Sequence, residues 1–135
     1  MPLIRSICIA LLGLSLLTSA ARAGDYVVAW AFAAHGENEM GTRADCEYRT
    51  YCIIKVEKFG FEVMISFWRS GHGAATIDIT SGISCCYFSD GESSVKRGTS
   101  SLIRLGVFEG RARRGNEFVL NSRVGDFYLL FSALK

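Results

Sequence analysis

Apolar and polar side chains alternate with a period of two along much of this chain. In "FEVMISFW" (61–68), Phe61, Val63, Ile65 and Phe67 fall on one side and Glu62 and Ser66 on the other. "CIIKVEK" (52–58) sets Cys52, Ile54 and Val56 against Lys55 and Glu57, and "ATIDIT" (75–80) sets Ala75, Ile77 and Ile79 against Thr76, Asp78 and Thr80. The same holds for Ile103, Leu105 and Val107 in "SLIRLGVFEG" (101–110), and for Phe127, Leu129 and Phe131 in "DFYLLFSAL" (126–134). Successive side chains of extended backbone leave opposite faces, so each pattern predicts a half-buried strand. "YVVAWAF" (26–32) is apolar on both faces; its Tyr, Val, Trp and Phe favour a pleated surface, which predicts an interior strand.

Turn signals separate these runs at Phe59-Gly60, Asp90-Gly91, Arg114-Gly115-Asn116 and Gly125-Asp126. The polar stretch "GENEMGTRAD" (36–45) lacks alternation and is expected to be a helical turn or a long loop. Short strands at such intervals, with no long helical pattern, predict an all-β domain. It should be an antiparallel β-sandwich or small barrel of about seven or eight short strands, stapled by disulfides.

The amino terminus reads differently. Arg5 precedes an apolar run from Ile7 to Leu17, and Ala21-Arg22-Ala23 follows. A basic start, a short apolar core and an A-x-A site form a secretory signal peptide, with cleavage expected after Ala23. The run is shorter than the roughly 20 apolar residues that span a bilayer. Residues 1–23 are therefore expected to be removed, leaving a single domain, 24–135, that is periplasmic or secreted with no transmembrane segment.

Cleavage also changes the charge. The full chain has 15 basic and 13 acidic residues; loss of Arg5 and Arg22 leaves the two equal. A neutral domain has no general attraction for nucleic acid, so no nucleic-acid partner is expected. The bases are nevertheless concentrated after residue 62.

Export changes the meaning of the cysteines. Cys46, Cys52, Cys85 and Cys86 remain after cleavage, and an even number in a small exported chain predicts a disulfide framework. Four cysteines allow three pairings. Bonding Cys85 to its neighbour Cys86 requires a strained ring, since adjacent Cα atoms lie only about 3.8 Å apart. The expectation is therefore that Cys46 and Cys52 both bond to the adjacent pair, with Cys46–Cys86 and Cys52–Cys85 preferred by side-chain parity. "CEYRTYC" must then bend, around Tyr48 to Thr50. The C-x5-C…CC spacing matches no common zinc pattern, and no metal or cofactor is expected.

Candidate chemistry is sparse. Ser70, His72 and Asp78 lie close in sequence, but triads are defined by geometry and no nucleophile elbow is present. Glycines flank His72, which fits an exposed hairpin histidine. Glu37 and Glu39 have the chemistry of an acid–base pair, though their surroundings suit a solvated loop. Arg111, Arg113 and Arg114 gather in "EGRARRGN" (109–116), where guanidinium forks suit planar oxyanions. Trp68 falls on the polar side of its strand, as an aromatic that grips a sugar or a protein would. The candidate binding residues are thus Trp68, His72, Arg111, Arg113 and Arg114, and no catalytic residue is assigned. These features predict a non-catalytic binding module for a protein or carbohydrate partner at the cell envelope. The alternative is a secreted effector or enzyme inhibitor acting through loop 69–73 or 109–116, and a small hydrolase using His72 ranks third.

Overall fold

The computed structural model describes residues 24–134 apart from 69–70, 72, 82–84, 89–91 and 111–121; Ser81 and Cys85 are described in their backbone only. Nine strands form within these residues: β1 (Tyr26–Ala34), β2 (Glu37–Cys46), β3 (Cys52–Val56), β4 (Phe61–Ser66), β5 (Ala74–Ser81), β6 (Cys85–Phe88), β7 (Ser94–Gly98), β8 (Ile103–Glu109) and β9 (Arg123–Ser132). They make two open sheets, ordered β2-β1-β9-β8-β6 and β3-β4-β5-β7. Every pairing is antiparallel. Of the two architectures expected, the chain adopts the sandwich.

The period-two positions build the core. Phe61, Val63, Ile65 and Phe67 are buried, as are Ile54 and Val56, Ala75, Ile77 and Ile79, Ile103, Leu105 and Val107, and Phe127, Leu129 and Phe131. The ladders keep these residues in phase: Ile54 faces Val63, which faces Ile79. A one-residue slip would turn each set to solvent, so the burial of apolar side chains fixes the register. Aromatic rings lock the two layers together. Phe32 on β1 meets Phe61 on β4 edge-to-face at 4.9 Å, and Tyr26 meets Phe67 at 4.9 Å. Each fully buried ring or branched aliphatic side chain contributes about 1.5–3 kcal/mol by leaving water.

Apart from Gly36, which sits in the turn after β1, the stretch 36–45 belongs to strand β2 and not to the expected helical turn or long loop. Its polarity on both faces reflects its place as an edge strand, where outward residues meet solvent and inward ones pass the rim of the opposite sheet. Trp30 faces Gly41 across the ladder, and a Cβ at Gly41 would come within 2.9 Å of the indole nitrogen. Glycine there makes room for the ring. Gly125 is likewise not a turn: it lies within β9, opposite Val107. A Cβ at that position would overlap the Ala33 carbonyl oxygen and reach Phe32 Cζ at 2.8 Å. By contrast Phe59-Gly60 is a turn, with Gly60 in the left-handed region at φ 72° and its N–H donating to the Val56 carbonyl at 2.9 Å.

The disulfide expectation is corrected. Cys46 bonds to Cys52, with Cα atoms 5.2 Å apart, which rules out both pairings that send these cysteines to the adjacent pair. "CEYRTYC" does bend, with Thr50 N–H donating to the Glu47 carbonyl at 3.4 Å. The bend closes the local bond and serves no bridge to β6. Asp25 anchors it: its carboxylate accepts from Tyr48 N–H at 2.9 Å, and its own N–H donates to the Cys46 carbonyl at 2.7 Å.

Candidate functional site

The Cys46–Cys52 bond ties the end of β2 to the start of β3, and so holds the residue that precedes β3. Cys52 pairs with Ile65 on β4. One further step along that register sets Tyr51 opposite Ser66, with Trp68 on the next diagonal. Both aromatics have the outward parity of the four-stranded sheet, since Cys52, Ile65 and Phe67 face the core. Their rings stack at 5.9 Å with planes 27° apart. Tyr51 is 51% exposed and Trp68 65% exposed. Aromatic rings left in water at such fractions form an apolar platform with polar tips.

The same outer face continues below the pair in cross-strand rows. Ser66, which is itself buried, leads the first row to Thr76 and Lys96, and Met64, Asp78 and Ser94 form the second. Lys55, Glu62 and Thr80 form the third, where Lys55 Nζ lies 4.0 Å from Glu62 Oε1. A shallow depression of about 450 Å³ opens at this far end, lined by Lys55, Gly60, Phe61, Glu62 and Thr80. Antiparallel strands lie about 4.8 Å apart, so donors and acceptors recur at that spacing across the face. The face joins an aromatic platform to hydroxyl, ammonium and carboxylate groups on rigid strands.

Of the candidate residues read from the sequence, the described structure contains Trp68, which is exposed as its parity implied. His72, Arg111, Arg113 and Arg114 lie outside the described residues, as does Ser70. Asp78 sits mid-sheet in the second row. Tyr51 was missed; the signal for it was its outward parity beside Cys52 at a strand end. Glu37 and Glu39 do not solvate a loop. Glu39 turns inward from β2 and its carboxylate accepts from the backbone N–H groups of Glu57 at 3.2 Å and Lys58 at 3.1 Å. It thereby caps the short 3-10 turn Glu57–Phe59, where the exposed N–H groups attract an anion.

The outer face of the five-stranded sheet is also partly apolar. Met40, beside Ala31, is 72% exposed, and Leu130, beside Ala29, is 47% exposed. Nearby, Asp126 accepts from Arg104 at 3.2 Å and from Arg123. Burial alone would raise the Asp126 carboxyl, but these two guanidinium partners outweigh it and hold it below the usual carboxylate range. Among the described residues no group of three or more His, Cys, Asp or Glu side chains is placed to hold a metal ion. No described helix is long and apolar enough to cross a membrane.

No protein-family model, curated protein or solved structure matches this chain.

Proposed function

We propose that this chain is an exported, non-catalytic binding module whose ligand-contacting surface is the outer face of the four-stranded sheet, and that its ligand is a carbohydrate of the cell envelope or its surroundings. The stacked, exposed Tyr51–Trp68 pair carries this reading. The rings come from Tyr51, just before β3, and Trp68, two residues past β4, and both stand in water, where burial in the core would otherwise be favoured. Sugar rings present C–H faces to aromatic planes and hydroxyls to the polar groups beside them, and the cross-strand pairs Thr76–Lys96 and Asp78–Ser94 supply such groups. Export rests on the leader features of residues 1–23 and agrees with the Cys46–Cys52 bond, since disulfides persist in oxidising compartments.

The test is a glycan array probed with the protein produced by export, followed by binding isotherms for Tyr51→Ala and Trp68→Ala. Each variant is expected to weaken binding about tenfold or more while leaving the thermal midpoint near that of the parent. Undiminished binding by both variants, or capture of a protein and no glycan, overturns the assignment. Amino-terminal sequencing of the same material is expected to begin at Gly24.

A further inference from the structure

Four cations of this domain have a carboxylate partner: Arg43 pairs with Asp45, Lys55 with Glu62, and Arg104 and Arg123 with Asp126. Lys96 and Arg97, neighbours on β7, have none among the described residues. Both are exposed, and β7 is the edge strand of the four-stranded sheet. Ile79 N–H donates to the Ser93 carbonyl at 2.8 Å and Thr99 N–H to the Gly73 carbonyl at 3.1 Å. Backbone groups alternate in direction along an antiparallel strand, so Val95 and Arg97 turn theirs to β5 and Lys96 turns its carbonyl to the free edge. There Arg97 donates from Nη1 to that carbonyl at 2.9 Å, which brings a guanidinium and an ammonium to one edge.

This edge adjoins the aromatic platform. Lys96 pairs with Thr76, which pairs with Ser66, the residue two before Trp68. β7 lies two strand spacings, about 10 Å, from β4, a length that a disaccharide spans. At the Trp68 end of the sheet Ala74 faces Gly98, so the floor between the two strands is low. The nearest acid on this face is Asp78, one diagonal from Lys96, and no ion pair joins it to either cation.

We propose, resting on the carbohydrate reading of this face, that the ligand is an acidic oligosaccharide carrying uronate carboxylates. One sugar ring lies on the Tyr51–Trp68 platform, and the carboxylate of a neighbouring ring meets Lys96 and Arg97. Cations with no carboxylate beside them leave a local positive field although the whole domain is neutral. A guanidinium fork suits a planar carboxylate, and the ammonium adds a second charge-assisted donor. Lys55, at the far end of the face, is occupied by Glu62 and takes no part.

The test is calorimetric titration with tetramers of galacturonate, mannuronate and glucuronate, each beside its neutral methyl ester. The parent should bind at least one acid tighter than its ester by about fivefold or more, and about 1 M salt should remove that preference. Lys96→Gln should reduce the preference, the double variant Lys96→Gln with Arg97→Gln should abolish it, and Lys55→Gln should leave it intact. In none of these three variants should binding of the ester change, whereas Trp68→Ala should weaken acid and ester alike. Equal binding of acids and esters, or binding of neutral glycans only, overturns the acidic class and leaves the platform standing. A preference that survives the double variant, or that Lys55→Gln also removes, overturns the assignment to Lys96 and Arg97. Binding of no glycan of any kind overturns this inference together with the carbohydrate reading.

Discussion

The Arg43 guanidinium on β2 donates from Nη1 to the Ile53 carbonyl oxygen on β3 at 2.6 Å, joining the edge of one sheet to the edge of the other. The rest of the fork is held by Asp45, which accepts from Nε at 2.9 Å and from Nη2 at 3.1 Å. The Asp45 hydrogen bond keeps the guanidinium firmly charged, and Arg43 in turn lowers the Asp45 carboxyl. With Glu39 and the Cys46–Cys52 bond, this contact seals the β2–β3 side of the sandwich.

Arg43→Ala is expected to destabilise the domain by about 1–2 kcal/mol, because one charged donor to a strand-edge carbonyl is lost in a partly exposed setting. Arg43→Lys keeps the charge but loses the fork, and should fall between parent and alanine variant. Urea denaturation of the three proteins checks the order. Equal midpoints would show that the seam contributes nothing.

Tyr26 is completely buried, and its hydroxyl finds no hydrogen-bond partner among the described residues. Burial first, then the nearby Tyr48 and Asp25, push its pKa far above the usual tyrosine range. Ionisation therefore favours the unfolded chain. The stability linked to this group is intact below about pH 10 and falls as pH rises above it. Tyr26→Phe should be neutral or stabilising by up to about 1 kcal/mol at pH 7, since no bond is lost. Above pH 10 its denaturant midpoint should decline less steeply than that of the parent.

Asp126 gives the opposite pH limb. Its folded pKa is lowered, so its contribution is complete above the unfolded value of about 3.9 and is lost as pH falls through the folded value. Asp126→Asn should cost under about 1 kcal/mol at neutral pH, as exposed arginine pairs do. Between about pH 5 and pH 2 the variant should lose less stability than the parent, as read from thermal midpoints across that range.

Gly125→Ala should destabilise by about 1–3 kcal/mol, the cost of forcing atoms into a filled core. The clash is with backbone at Ala33 as well as with the Phe32 ring, so the neighbours cannot simply rotate away. A variant as stable as the parent would show that β9 shifts freely against β1.

The alternation of apolar and polar residues decided much of this protein in advance. It marked the inward sets on β3, β4, β5, β8 and β9 residue by residue, because a two-residue period commits every side chain on a strand to one face. It also set Trp68 outward. Tertiary structure decided the rest. The polar stretch from Glu37 to Cys46 carries no period, yet it is a strand because β1 offers it a ladder and an edge position requires no second buried face. Gly125 reads locally as a turn, and only its closeness to Ala33 reveals a packing role. The cysteine pairing went to the local bond because the turn at Glu47–Thr50 brings Cys46 and Cys52 within bonding distance. That bond also set Tyr51 beside Trp68, a contact between positions seventeen residues apart. Local pattern specifies which face a residue takes; which faces meet depends on how the sheets register and close.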